Sequence, residues 1–490
     1  MKNPHSLAIA AFLAITPAAL THAGDFASYQ AADVVIGKTN FTTNTPTTAS
    51  ATNTNVTSDV SVDPATGELF VCDEANNRVL RFSSAAAAAS GAPAEVVFGQ
   101  PDFVTATINT GGLSATSLDD PAGIHVDSSG ALWVADAGNH RVLRFDDATG
   151  AATASTVTAD QVIGQADFTT ATSGTSLSTL DNPRDVWVDA SGNLWVADAS
   201  NNRVLRFDAV AGLGNGPNAS RVFGQPSGIS NAVATTPVGM DSPVSVCVDG
   251  GGALWVADEG NNRVLRFNAA AAVAVDGPAA SGVLGQADFI SANATVTRSG
   301  LSSPSGVNVN ASGRLWVSDF NNNRVLWFNN AASKSNGGLA DGVLGRPNFI
   351  SPAAGLSERR FDGPLGLFQD AAGHLWVADS SNHRALRFTA PVPPSPQPPV
   401  ITLTGKFRHV FPAASQHIKG RSHDSDGVVV AVMGSVNGRP FTLAKGTTTW
   451  RYHAKKLRKG RNHIRIFAID DDGLESNFLH VRIIRKTPHS

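Results

Sequence analysis

The chain has 490 residues, with 40 acidic and 37 basic side chains and a formal net charge of −3. Hydrophobic residues make up 42%, enough for a large core, which excludes a disordered chain. The near-neutral balance gives no case for nucleic-acid binding, and the two cysteines, Cys72 and Cys247, exclude a disulfide framework or an all-cysteine zinc cluster.

Residues 1–23 read as an export signal. Lys2 supplies the positive end, Leu7 to Leu20 the apolar stretch, and "THA" a small-residue cleavage site after Ala23. The apolar run is short for a bilayer span and Pro17 interrupts it. The expected chain is secreted, extracellular or periplasmic, or on a bacterial cell surface, with no transmembrane segment once the signal is removed.

From 33 to 388 the chain repeats itself. One phrase recurs six times, from "LFVCDEANNRVLRF" to "LWVADSSNHRALRF", with its aspartates at Asp73, Asp136, Asp198, Asp258, Asp319 and Asp379. A second phrase, of the type "VIGQADF", recurs six times with glycines at 37, 99, 164, 224, 285 and 345. Each unit reads as four strands, because apolar residues alternate with period two and Gly, Ser, Asn and Asp punctuate them. Four antiparallel strands repeated six times predict radial sheets around a channel, a six-bladed β-propeller. The second phrase appears before any complete unit and is missing after Phe388. The strand at 33–41 is therefore expected to pair with Arg384–Phe388 and close the ring.

Residues 391–399, "PVPPSPQPP", read as a semi-rigid spacer. From 400 onward 16 Lys plus Arg face 6 Asp plus Glu, a net of +10, so the remainder carries −13. Strand candidates from 400 to 486 predict a β-sandwich. The whole chain is therefore expected to be all-β.

The phrase D-x-x-N-x-R-[VA]-L-x-F following G-x-L-[WF]-V resembles the NHL repeat, a family of β-propellers that are often six-bladed. The units here are near 60 residues, longer than the family's. The "DSDGVV", "VNG" and "DDDG" motifs of 400–486 resemble bacterial immunoglobulin-like (Ig-like) domains, which the resemblance makes a spacer or adhesion module.

Residues shared by all six units are expected to be architectural, because catalysis needs one site and not six. Asp136, Asn139 and Arg141 with their counterparts suit tight turns and ion pairs. The tryptophans 133, 195, 255, 316 and 376, with Phe70, suit wedges between sheets. Function is expected where the units differ. The middle of the first strand reads Ser61, His125, Trp187, Cys247, Asn308 and Phe368. Arg184 and Asp185 lie just before it in unit three. The turn after the second strand varies too and carries Glu259, His140 and His383. Candidate ligand-binding residues are therefore His125, Arg184, Asp185, Trp187, Asn308, His140, His383 and Glu259.

The expected partner is a protein or carbohydrate on the loop-rich propeller face. "HAKKLRKGR" (453–461) offers the basic module a grip on an anionic envelope surface. Asp424, Asp426, Asp470 and Asp472 are candidate calcium ligands beside their turn-forming role. Metal and nucleophile templates are otherwise missing, which favours a binding scaffold over an enzyme. The alternative is a secreted propeller enzyme, a metal-dependent lyase or lactonase-like, with its site in the channel, as relatives of the NHL type imply.

Overall fold

The computed structural model describes residues 26–46, 48–151, 157–390, 399–404, 410–424, 428–470 and 475–486. The leader expected at 1–23, all but the last residue of the 391–399 spacer, and Asp426 and Asp472 lie outside the described residues. The chain divides into two compact units, one spanning Asp25–Ala390 and the other holding the described residues after 390.

The larger unit contains six four-stranded antiparallel sheets. In the first, Thr57–Val62, Leu69–Asp73, Arg78–Phe82 and Val96–Phe98 lie side by side in chain order. The first strands of the others are Pro121–Val126, Pro183–Val188, Pro243–Val248, Pro304–Val309 and Pro364–Gln369. The sixth sheet takes its fourth strand from Val34–Ile36, which pairs with Arg384–Phe388 through Val34↔Arg387, Val35↔Leu386 and Ile36↔Ala385. The expected N-terminal partner is thus present.

Both faces of each sheet are covered, so strands such as Leu132–Asp136 are buried throughout. Each sheet shares an apolar core with the next, and the sixth shares one with the first, where Trp376 and Ile36 meet Val60 and Val71. The tryptophans do wedge between sheets: Trp133 packs with Val186 and Leu194 of sheet three, and Trp195 with Val246 and Leu254 of sheet four. Each first strand packs against the first strand of the next sheet, and Pro364–Gln369 against Thr57–Val62.

The turn after each second strand is a single 3₁₀ turn in five of the six sheets and ends on a left-handed residue in all six, Asn77, His140, Asn202, Asn262, Asn323 and His383. Asparagine tolerates that conformation best among non-glycine residues, and histidine is also enriched there. Cys72 and Cys247 are free and buried.

The second unit has a three-stranded sheet, Val400–Leu403, Gln416–His423 and Thr449–Ala454, and a five-stranded sheet that includes Val429–Val436, Gly460–Asp470 and Leu479–Arg485. Ile418, Trp450 and Tyr452 of one meet Val432, Ile466 and Ile483 of the other in a shared core, so the unit is a β-sandwich. Asp424 and Asp470 are buried. Among the described residues no group of three or more His, Cys, Asp or Glu is placed to hold a metal ion.

Candidate functional site

The shared residues form the same network six times. Asp136 Oδ2 accepts from Arg141 Nε at 2.7 Å and Asn139 Nδ2 at 2.8 Å, while Oδ1 accepts the Asp119 backbone N–H at 2.7 Å. Arg141 then donates to the carbonyls of Ser114, Ser117 and Phe168 in the flanking loops. The equivalent pairs, such as Asp198–Arg203 and Asp379–Arg384, have fully buried side chains at 2.7–2.8 Å. A buried ion pair whose remaining donors and acceptors are satisfied holds loops in register. This accounts for the motif without a ligand.

The differences converge on one cavity of about 440 Å³ among the first strands of all six sheets. Their third position reads Asp59, Gly123, Asp185, Ser245, Gly306 and Gly366. Three glycines are needed there because the strands crowd. A Cβ on Gly366 would lie 1.8 Å from Asp59 Oδ1, and one on Gly123 2.6 Å from both the Arg184 carbonyl oxygen and Asp185 Cα.

Each acid in this row leans over a glycine of the preceding sheet and clips the following one. Asp59 Oδ2 accepts the Ile124 N–H and Asp185 Oδ2 the Val246 N–H, both at 2.8 Å. Ser245 Oγ does the same for Val307 at 3.1 Å. Burial, and then the charge of Asp185, pushes Asp59 well above the usual carboxylate range. Burial raises Asp185 to about 7.

One end of the cavity is lined by the second-strand turns, including Glu74, Glu259, Phe320 and Ser380. Arg184 reaches from sheet three to within 3.9 Å of Glu74 and 3.8 Å of Asp120. Glu74 is pushed up to about 7 by burial, opposed by Arg184 and reinforced by Asp120. Its carboxyl lies within hydrogen-bond reach of the Asp120 carboxyl. Burial also raises Glu259, while Arg184 pulls it down. The guanidinium therefore balances carboxyl groups of three other sheets.

Deeper along the first strands, aromatic rings approach the centre. Trp187 comes within 6.3 Å of Phe368, three sheets away, and His125 packs on Trp187 at 4.3 Å. Burial lowers His125 to about 4, so its imidazole is neutral at physiological pH.

Of the eight candidate residues, five line this cavity: His125, Arg184, Asp185, Trp187 and Glu259. The other three lie elsewhere. Asn308 is buried, and its Oδ1 accepts the Gln369 N–H at 3.1 Å. His140 Nδ1 accepts the Asn182 N–H at 3.1 Å, and His383 Nδ1 the Val56 N–H at 3.0 Å. Asn77, Asn202, Asn262 and Asn323 make the same link to the next sheet through Oδ1, at 2.8–2.9 Å. Both histidines thus replace an asparagine acceptor in an architectural latch. Sequence reasoning passed over Asp59, for which the third-position row of two acids among small residues was the available signal, and left Glu74, which stands in the same variable turn row as Glu259, out of the candidates.

A family model described as the NHL repeat matches residues 118–145, 180–207, 240–267 and 301–328. These are NHL repeats. Together with the sheet arrangement they make the larger unit an NHL-repeat β-propeller. The human NHL repeat-containing protein 3 is 28% identical over 166 residues, which cover 31% of this chain and 40% of that protein. The chain thus spans about two fifths of the length of this relative. Among solved structures, an auxiliary nutrient binding protein from Bacteroides ovatus is 14% identical with a TM-score of 0.46, covering 74% of this chain and 77% of its own. A streptogramin B lyase is 13% identical with a TM-score of 0.40, covering 71% and 95%.

Proposed function

We propose that this is a secreted, six-bladed NHL propeller that binds a small polar ligand, of carbohydrate type, in its axial cavity. The C-terminal sandwich is read as an Ig-like module, joined through the 391–399 spacer, that tethers the propeller to an anionic envelope surface. The observation that carries the binding reading is the cavity wall. It joins the carboxyl groups of Glu74 and Glu259 and the Arg184 guanidinium with the Trp187 ring. Its volume of about 440 Å³ falls within the range of small-molecule sites. Carboxylates and a guanidinium suit ligand hydroxyls, and an aromatic face suits a sugar ring.

The test is calorimetric titration with a panel of mono- and disaccharides, uronic acids and amino sugars. Saturable binding to one of them, weakened at least about tenfold in Glu259→Gln or Arg184→Gln, is the expected result. No saturable heat across the panel would reject it. Secretion is tested by N-terminal sequencing of exported protein, which should start at Gly24.

A second reading is favoured by the two carboxyl groups, Asp185 and Glu74, held near 7, where general acid–base catalysis is most effective. It makes the same cavity the site of a lactonase-like hydrolysis. A lyase that depends on metal fits less well, because no ligand cluster occurs among the described residues. Lactone turnover abolished by Asp185→Asn would establish this reading.

A further inference from the structure

Residues 453–461 are the densest basic run of the C-terminal unit, but strand register builds a second basic surface that shares only His453 with it. In Gln416–His423 the core takes Ile418, Gly420 and Ser422, leaving His417, Lys419, Arg421 and His423 exposed. In Thr449–Ala454 the core takes Trp450, Tyr452 and Ala454, leaving Thr449, Arg451 and His453 exposed. Register sets Lys419 directly opposite Arg451 and His417 opposite His453, and the two imidazoles stack at 4.2 Å. The third strand, Val400–Leu403, adds exposed Val400 and Thr402. None of the three strands contains Asp or Glu, and the nearby Asp424 is buried.

Like charges directly opposite each other destabilise a sheet. Lys419 opposite Arg451 is such a pair, and its repulsion is relieved when an anion lies along the face. His453 is already held below the ordinary imidazole range by desolvation and by the charges of His417 and Lys455.

We propose that this outer sheet face is a binding site for an acidic polysaccharide, gripped by the Lys419–Arg451 and His417–His453 pairs. The proposal rests on the tether reading and names its surface and its ligand. A strand presents one side chain per face every two residues, about 7 Å apart, and the neighbouring row runs about 5 Å away. Two such rows match a linear polyanion, and the stacked imidazoles offer a flat plate to a sugar ring. Membrane-surface modules add Trp, Phe or Leu for insertion, and single-stranded nucleic acids are held by stacking on aromatic residues. Here Trp450 and Tyr452 face the core, and Val400 is the one exposed apolar side chain on the three strands.

The experiment measures binding of the full-length chain to polygalacturonate. Vesicles of 70:30 phosphatidylcholine and phosphatidylserine, and a 30-nucleotide oligothymidylate, are the competing arms. Polygalacturonate should bind most tightly, and Lys419→Glu/Arg451→Glu should weaken it at least about tenfold. The equally charged change Lys456→Glu/Lys459→Glu on the following hairpin should weaken it less than about threefold. A Lys419→Gln/Arg451→Gln pair repeats the test if the charge reversal disturbs folding. Equal loss in both variants overturns the proposal, because net charge alone would then explain binding. Full binding by the Lys419/Arg451 variants overturns the assigned face and leaves the tether reading standing. Preference for vesicles or oligothymidylate overturns the polysaccharide, and no binding in any arm overturns the tether as well.

Discussion

His383 in the sixth sheet accepts the backbone N–H of Val56, in the segment that leads into the first sheet, at 3.0 Å. That contact joins residues 327 positions apart and repeats, between the first and last repeats, the latch that asparagine makes at four other junctions. The bond needs an unprotonated Nδ1, and burial, with Lys38 nearby, lowers the His383 pKa accordingly. His383→Asn should therefore be nearly neutral, whereas His383→Ala should cost about 1–2 kcal/mol by leaving the Val56 amide without its acceptor. Urea denaturation midpoints compare the two.

Crowding around the axis makes a sharp steric prediction. Gly123→Ala would press a methyl group against backbone atoms at 2.6 Å and should cost about 3 kcal/mol or more, or prevent folding. Gly250→Ala, where a Cβ would meet nothing within 4 Å, is the control and should change stability little. Soluble yield and thermal melts of the two proteins separate these outcomes.

Glu74 gives a pH signature with a defined sign. Its carboxyl is raised by burial from 4.5 to about 7, so between those values the folded chain binds more protons than the unfolded one. Wild-type stability contributed here is present at low pH and declines as pH rises through about 7. Glu74→Gln removes that slope. The variant's stability relative to wild type should improve by about 1–3 kcal/mol from pH 5 to pH 8, read by denaturation at each pH.

Arg346 occupies a position held by glutamine in four other sheets. Gln100, Gln165, Gln225 and Gln286 each donate from Nε2 to two carbonyls at 2.8–3.0 Å. Arg346 reaches its two carbonyls only at 3.3–3.4 Å, and burial lowers its pKa to about 10. Arg346→Gln should restore the shorter bonds, remove a buried charge and stabilise the protein by about 1 kcal/mol. A higher denaturation midpoint is the expected measurement.

What could be read from the chain alone was whatever repeats. The period-two pattern and the sixfold Asp–Asn–Arg phrase determined the four-stranded units and the architectural role of those side chains. The displaced "VIGKTNF" phrase determined the pairing of Val34–Ile36 with the last repeat, because strand count and order are local properties of sequence. The histidines at 140 and 383 stood out because their turn position differs between repeats, and that each accepts a backbone N–H of the next sheet is something only the neighbouring sheet reveals. Asp59 and Glu74 stand in rows where the repeats differ, but nothing in those rows marks them as acids with raised pKa values. Their character comes from burial against residues of other repeats, and the same holds for the basic rows at 417–423 and 449–453, whose opposition depends on strand register. Burial, register and charge proximity are set by residues far apart in the chain, so tertiary structure alone decided them.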